Sequence, residues 1–172
     1  KGITLTMNDK AKTLSVNGVD IKLTPKEYGY YLWLSMQPNR RLLADRAFFD
    51  DKECARAFLD IYRNLTNDQR LLKTFGLDID AIDEGFEWNE SLFLKIEGIP
   101  RQIVQEARST INRKIKEALP TEAFYKIGIQ SEKSEGYATY WLDNDFTIQV
   151  IPIKKVDTEF TQINQLDKLF AH

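Results

Sequence analysis

The chain has 172 residues, 24 of them Lys or Arg and 26 Asp or Glu, giving a formal charge of −2. With 42% hydrophobic and 29% charged residues it can build one core of good size, and it is neither a disordered segment nor a uniformly basic nucleic-acid coat. One cysteine excludes an internal disulfide, a lone histidine at the last position argues against histidine-dependent catalysis or zinc ligation in the interior, and no run of about 18 apolar residues is available to cross a membrane.

The start, Lys1-Gly2-Ile3-Thr4, has neither an initiator Met nor an apolar signal core. The expectation is a piece of a larger cytoplasmic protein. Residues 3–23 then read as a β-meander. Ile3 to Met7, Thr13 to Val16 and Val19 to Leu23 alternate apolar and polar residues, and Asn17-Gly18 is a strong two-residue hairpin signal. Thr24-Pro25-Lys26-Glu27 opens a helix, with Thr24 as N-cap, Pro25 at the first position and Glu27 as the reciprocal cap. This helix runs to about Gln37 before Pro38. Its Tyr28, Tyr30, Tyr31, Leu32, Trp33 and Leu34 leave no polar side, which predicts burial on more than one face.

Residues 41–64 read as one or two helices, with Cys54, Phe58, Ile61, Tyr62 and Leu65 on one stripe. Residues 78–90 are acidic and irregular, and Asn89 is a candidate cap for a short helix with Leu92, Phe93 and Ile96. Gly98-Ile99-Pro100 breaks it. A long helix follows to Leu119, with Ile103, Ala107, Ile111, Ile115 and Ala118 as its apolar stripe. Gln102, Gln105, Ser109, Asn112, Arg113 and Lys116 fall on the opposite arc. Tyr125 to Ile129 and Tyr137 to Leu142 read as strands around a polar turn at 131–136, and Phe146 to Ile153 as another strand. The tail from 156 reads as a short helix or an unstructured end.

Two stretches resemble the DNA-binding domain of OmpR-type response regulators. The first is Asn17-Gly18-x-x-Ile21-x-Leu23-Thr24-Pro25-Lys26-Glu27-Tyr28. The second is Arg108-Ser109-Thr110-Ile111-Asn112-Arg113-Lys114-Ile115, followed by Gly136-Tyr137. Together with their strands they cover roughly 70 residues. A narrower resemblance joins the Pro-Lys-Glu-Tyr-x-x-Tyr-Leu-Trp-Leu run at 25–34 to the Ser-Thr-Ile-Asn-Arg-Lys-Ile-Lys-x-Ala-Leu run at 109–119. These are similar to the C-terminal winged-helix half of CRISPR-associated proteins whose N-terminal half is a CARF-type, nucleotide-sensing domain.

The resemblance implies an α+β fold, a winged helix-turn-helix with an N-terminal β-meander, a helical insertion and a C-terminal β-hairpin wing. It implies one domain over 1–155 with the insertion at about 45–99, followed by a tail at 156–172. It departs from the family in the long gap between first helix and candidate recognition helix, and in a wing that carries Glu132 and Glu135 beside Lys133. The implied role is DNA-binding regulation in antiviral defence or transcription, with no enzymatic step and no cofactor. The implied partners are double-stranded DNA and an N-terminal sensor domain of the same protein.

The residues themselves support part of this. Residues 101–119 hold five cations against two anions, and a helix entering the major groove needs cations for phosphates and amides or guanidinium groups for base edges. The candidate DNA contacts are Arg40, Arg41, Ser109, Asn112, Arg113, Lys116 and Lys133. Each has a plain alternative. The long helix could simply be a solvated surface helix, and Arg40 and Arg41 could be charges suited to a helix C-terminus. Residues 65–99 hold eight anions against three cations. Asp78-x-Asp80 begins like a calcium loop, but Asp83 stands where glycine is required and Asn89 where the bidentate glutamate belongs, so no EF-hand forms and no metal ligand is assigned. Cys54 has no histidine to activate it and reads as a small core residue. The aromatic group at 28–33 reads as core before it reads as a base-stacking platform. Two other functions stay open: a protein-interaction or homodimerisation module that keeps the fold without reading DNA, and a metal-dependent nuclease built on Asp78 and Asp80.

Overall fold

The amino-terminal alternation produces three strands, β1 (Thr4–Asn8), β2 (Thr13–Val16) and β3 (Val19–Lys22), in a computed structural model that describes residues 2–77 and 95–154. β1 and β2 pair antiparallel, as do β2 and β3, with Met7 opposite Leu14 and Leu14 opposite Ile21. One face of the sheet is therefore apolar and buried, through Leu5, Met7, Leu14, Val16 and Ile21. The β2–β3 turn needs positive φ at both central residues, and Asn17 (50°) and Gly18 (79°) supply it.

Helix α1 (Pro25–Ser35) starts with the capping box read from the sequence: the Glu27 N–H donates to Thr24 Oγ1 at 3.2 Å, and the Thr24 N–H donates to Glu27 Oε1 at 2.8 Å. Its apolar girdle is explained by its place at the centre of the molecule. Tyr28, Tyr30, Tyr31, Trp33 and Leu34 are all buried, and α3 (Lys52–Leu65) and α5 (Arg101–Ala118) both pack on it. Between α1 and α3 the chain makes a 3-10 turn (Pro38–Arg40), β4 (Arg41–Ala44) and a short α2 (Arg46–Phe49). The short α4 (Arg70–Thr74) follows α3. After α5 come α6 (Thr121–Ile127), β5 (Gln130–Ser134), β6 (Tyr137–Trp141) and β7 (Thr147–Ile151).

Two sheets result. In one the order is β3-β2-β1-β7, and β7 runs parallel to β1, so the last described strand closes the amino-terminal meander. In the other the order is β4-β6-β5, all antiparallel. One cluster of buried side chains runs from Leu5 through α1, α3 and α5 to Phe146. The fold is thus mixed α+β, with three strands before α1, three after α6 and β4 set between α1 and α2.

Three expectations need correction. Residues 41–44 form a strand, not the start of a helix: Leu42 and Ala44 point inward, and pairing with β6 about a hundred residues on overrides the helical propensity of Leu-Leu-Ala. Residues 125–129 are mostly helix. Pro120 sets up the first turn, the Phe124 N–H donates to the Pro120 carbonyl, and Ala123, Phe124 and Ile127 pack inward while Tyr125 is left exposed. The polar stretch expected to turn at 131–136 is the strand β5, with only Glu135-Gly136 left as its hairpin loop. The acidic segment at 78–90, the calcium-like Asp78-x-Asp80 spacing, the candidate Asn89 cap and the tail from 156 lie outside the described residues.

Candidate nucleic-acid interface

Helix α5 turns Ile103, Val104, Ala107, Ile111 and Ile115 into the core. Val104 joins the stripe expected from periodicity, and Ala118 leaves it by being exposed. At 100° per residue the middle of the opposite arc holds Gln102, Gln105, Ser109, Arg113 and Lys116, and all five are exposed.

The two flanks of this arc face different neighbours. On one, Lys114 Nζ donates to Glu27 Oε1 at 2.6 Å, and Lys26 lies 3.7 Å from Glu106, so α5 is fastened to the start of α1. Glu27 is only 4% exposed. Burial pushes its carboxyl upward, but the Lys114 ammonium and the Thr24 backbone N–H outweigh this and hold it below the ordinary value. On the other flank, Arg101 and Gln105 line an open groove of about 310 Å³ with Lys133, Ser134 and Tyr137 of the β5–β6 hairpin. The Arg101 guanidinium stacks on Phe49 with its carbon 4.2 Å from the ring centre.

Of the seven residues expected to touch DNA, the structure gathers Ser109, Arg113 and Lys116 on one exposed face of α5, and puts Lys133 on the adjoining hairpin, also exposed. Arg113, Lys116 and Lys133 form no ion pair among the described residues. Asn112 differs. Its Nδ2 donates to the Ile129 carbonyl and its Oδ1 accepts from the Ile129 N–H, both at 2.8 Å, so the whole amide clamps the entry to β5. Arg40 is also engaged. It donates to the Asp143 and Phe146 carbonyls at 2.8 Å each and lies over the Phe146 ring, joining the 3-10 turn to the approach to β7. Arg41 is exposed and stacks on Trp141 in the neighbouring strand, 4.8 Å from the ring centre. Asn112 and Arg40 thus each hold distant parts of the fold together. Both bond to main-chain groups distant in sequence, which no local pattern announces.

Gln105 and Arg101 are the groove residues that the reading of single charged positions passed over. The helical arc already contained Gln105; its neighbours across the groove required the fold. Arg108 lies on the same flank as Arg101, and its buried Nε has no hydrogen-bond partner among the described residues.

The remaining candidates behave as core. Tyr28, Tyr30, Tyr31 and Trp33 are too deeply buried to stack a base; the Tyr28 hydroxyl donates to Asp9 at 2.5 Å and the Tyr31 hydroxyl to the Ile127 carbonyl at 2.7 Å. Burial and the adjacent Asp51 carboxylate push the Cys54 thiol up to about 11, the opposite of an activated nucleophile. Among the described residues no group of three or more His, Cys, Asp or Glu side chains is placed to hold a metal ion, and no helix is long and apolar enough to cross a membrane. Comparison with protein-family models, with curated proteins and with solved structures finds no match to this chain.

Proposed function

We propose that the chain is a DNA-binding winged-helix module, with α5 as the helix that enters the major groove and the β5–β6 hairpin as the wing. The observation that carries this reading is the exposed arc of α5 with Gln105, Ser109, Arg113 and Lys116, beside a groove that Gln105 shares with Lys133 of the hairpin; Arg113, Lys116 and Lys133 have no ion-pair partner among the described residues. The β4-β6-β5 order, with the first strand between α1 and α2 and the hairpin after the last helices, fits a winged helix. So do the two stretches that resemble OmpR-type domains and the winged-helix half of CARF-containing CRISPR-associated proteins. On this reading the segment at about 45–99 elaborates the second helix of the motif. The role is regulatory and cytoplasmic, in antiviral defence or transcription, under the control of a sensor domain preceding residue 1. No catalytic step is assigned to the chain.

The test is binding to a mixed-sequence DNA duplex, followed by fluorescence anisotropy across a salt series. The Arg113→Ala/Lys116→Ala double variant should bind at least about tenfold more weakly, with the salt slope reduced by about two. Unchanged affinity and slope would remove the proposal. A second reading, a module that docks proteins or a second copy, draws on exposed apolar side chains along strand edges: Leu43 on β4, and Val150 and Ile151 on β7. Light scattering that finds a monomer at high concentration counts against self-association through these edges. The nuclease alternative rests on Asp78 and Asp80, outside the described residues, and calorimetry without divalent-metal binding removes it.

A further inference from the structure

We infer that Gln105 is the residue through which this module reads base identity, and that the base it selects is adenine; the inference rests on the DNA-binding reading above. Three amides lie on the outer arc of α5, and hydrogen bonding separates them. The Asn112 amide is bound on both atoms by Ile129. The Gln102 amide donates to Glu106 Oε1 at 3.0 Å. The Gln105 side chain makes no hydrogen bond among the described residues, is exposed, and stands in the groove between Arg101 and the hairpin's Lys133. An unpaired amide flanked by cations on both sides of a groove has the composition of a base-reading position between two phosphate contacts.

The chemistry then selects the base. A glutamine amide carries a donor and an acceptor side by side. In the major groove adenine offers the matching pair, its N7 acceptor and its N6 donor, whereas guanine offers two acceptors. The other exposed groups of α5 do not compete for this role. Ser109 has a single hydroxyl and cannot make a bidentate contact. Arg113 lies eight residues on, about 12 Å along the helix axis, more than one base step from Gln105. It is suited to a phosphate further along the duplex.

The experiment uses the full 172-residue chain and a pool of duplexes with a randomised core, sequenced after selection. Wild type should enrich adenine at one core position, by about tenfold over the other bases. Gln105→Ala should lose that preference and keep most of its affinity for an unselected duplex. Gln105→Arg should move the preference at the same position to guanine. Arg101→Ala and Lys133→Ala should weaken every duplex alike, each lowering the salt slope by about one. Adenine enrichment that survives Gln105→Ala, or wild-type binding with no base preference, overturns the assignment of Gln105 and leaves the DNA-binding reading standing. Failure of the wild-type chain to bind any duplex overturns both.

Discussion

Glu27 is a buried carboxylate at the junction of two helices, and its ionisation is maintained by its neighbours. Lys114 and the Thr24 N–H converge on a single oxygen, Oε1. A carboxyl whose folded pKa lies below its unfolded value of about 4.3 stabilises the fold above that pH, and the contribution is lost as pH falls through the folded value. The urea midpoint of the wild type should therefore decline as the solution is acidified below about pH 5. Glu27→Gln keeps the cap geometry and removes the charge. It should lower stability at neutral pH by about 1–3 kcal/mol and flatten the acid limb. Asp68 beside Arg70 and Asp145 beside Lys126 also sit below the ordinary carboxyl value, but on the surface, where solvent screening makes their contribution small. A Glu27→Gln variant with the same acid limb as wild type would contradict this account. The cap half of the arrangement could be read directly, because Thr24 and Glu27 stand three residues apart in the chain. The Lys114 half could not: that lysine is 87 residues away and looks, in sequence, like one more cation of a basic helix.

At the scale of elements, what sequence reveals depends on how local the cause is. The β2–β3 hairpin and α1 are specified by residues within a few positions of one another, Asn17-Gly18 and Thr24-Pro25-x-Glu27, and both form as the pattern predicts. β4 and β5 are specified by pairing with β6. Arg41 lies opposite Trp141, and Lys133 opposite Ala138, so neither strand has a local signature to match. Gly98 belongs to this second kind. In sequence it is part of a helix breaker, whereas in the structure it is the point where the approach to α5 crosses the end of α2. A Cβ built there would lie 1.7 Å from the Phe49 carbonyl oxygen and 2.3 Å from its carbon. Those are backbone atoms, so no side-chain rotation relieves the contact. Gly98→Ala should destabilise the fold by about 3 kcal/mol or more in denaturant unfolding. A loss within the roughly 0.5 kcal/mol expected of ordinary surface substitutions would mean the two segments can separate.

Across the whole molecule, the near-zero formal charge hides a division of labour among the cations. Arg40 holds two carbonyls, Lys114 holds Glu27, Lys26 lies against Glu106 and Lys126 against Asp145, so these four serve the fold. Arg101, Arg113, Lys116 and Lys133 share the exposed side of α5 and its groove without a carboxylate partner among the described residues. The composition of the chain could not distinguish these two sets; only the fold separates cations that bond to the protein from those turned outward. Under the proposed function, the division makes the salt dependence of duplex binding a count. Four phosphate contacts correspond to a slope of log affinity against log salt of about −3.5, a loss of about a hundredfold between about 50 and about 200 mM salt. Arg40→Ala should leave that slope unchanged while lowering stability, because its guanidinium is bound to the Asp143 and Phe146 carbonyls. Arg113→Ala should do the reverse, reducing the slope by about one with little change in the unfolding midpoint. The acidic side chains Glu132 and Glu135 on the same hairpin as Lys133 oppose the attraction, so the affinity at physiological salt should rest on the helix more than on the wing. Charge-neutralising Glu132→Gln/Glu135→Gln should therefore tighten binding to every duplex without altering which base is preferred. Anisotropy titrations of this variant against a selected and an unselected duplex check both halves of that expectation.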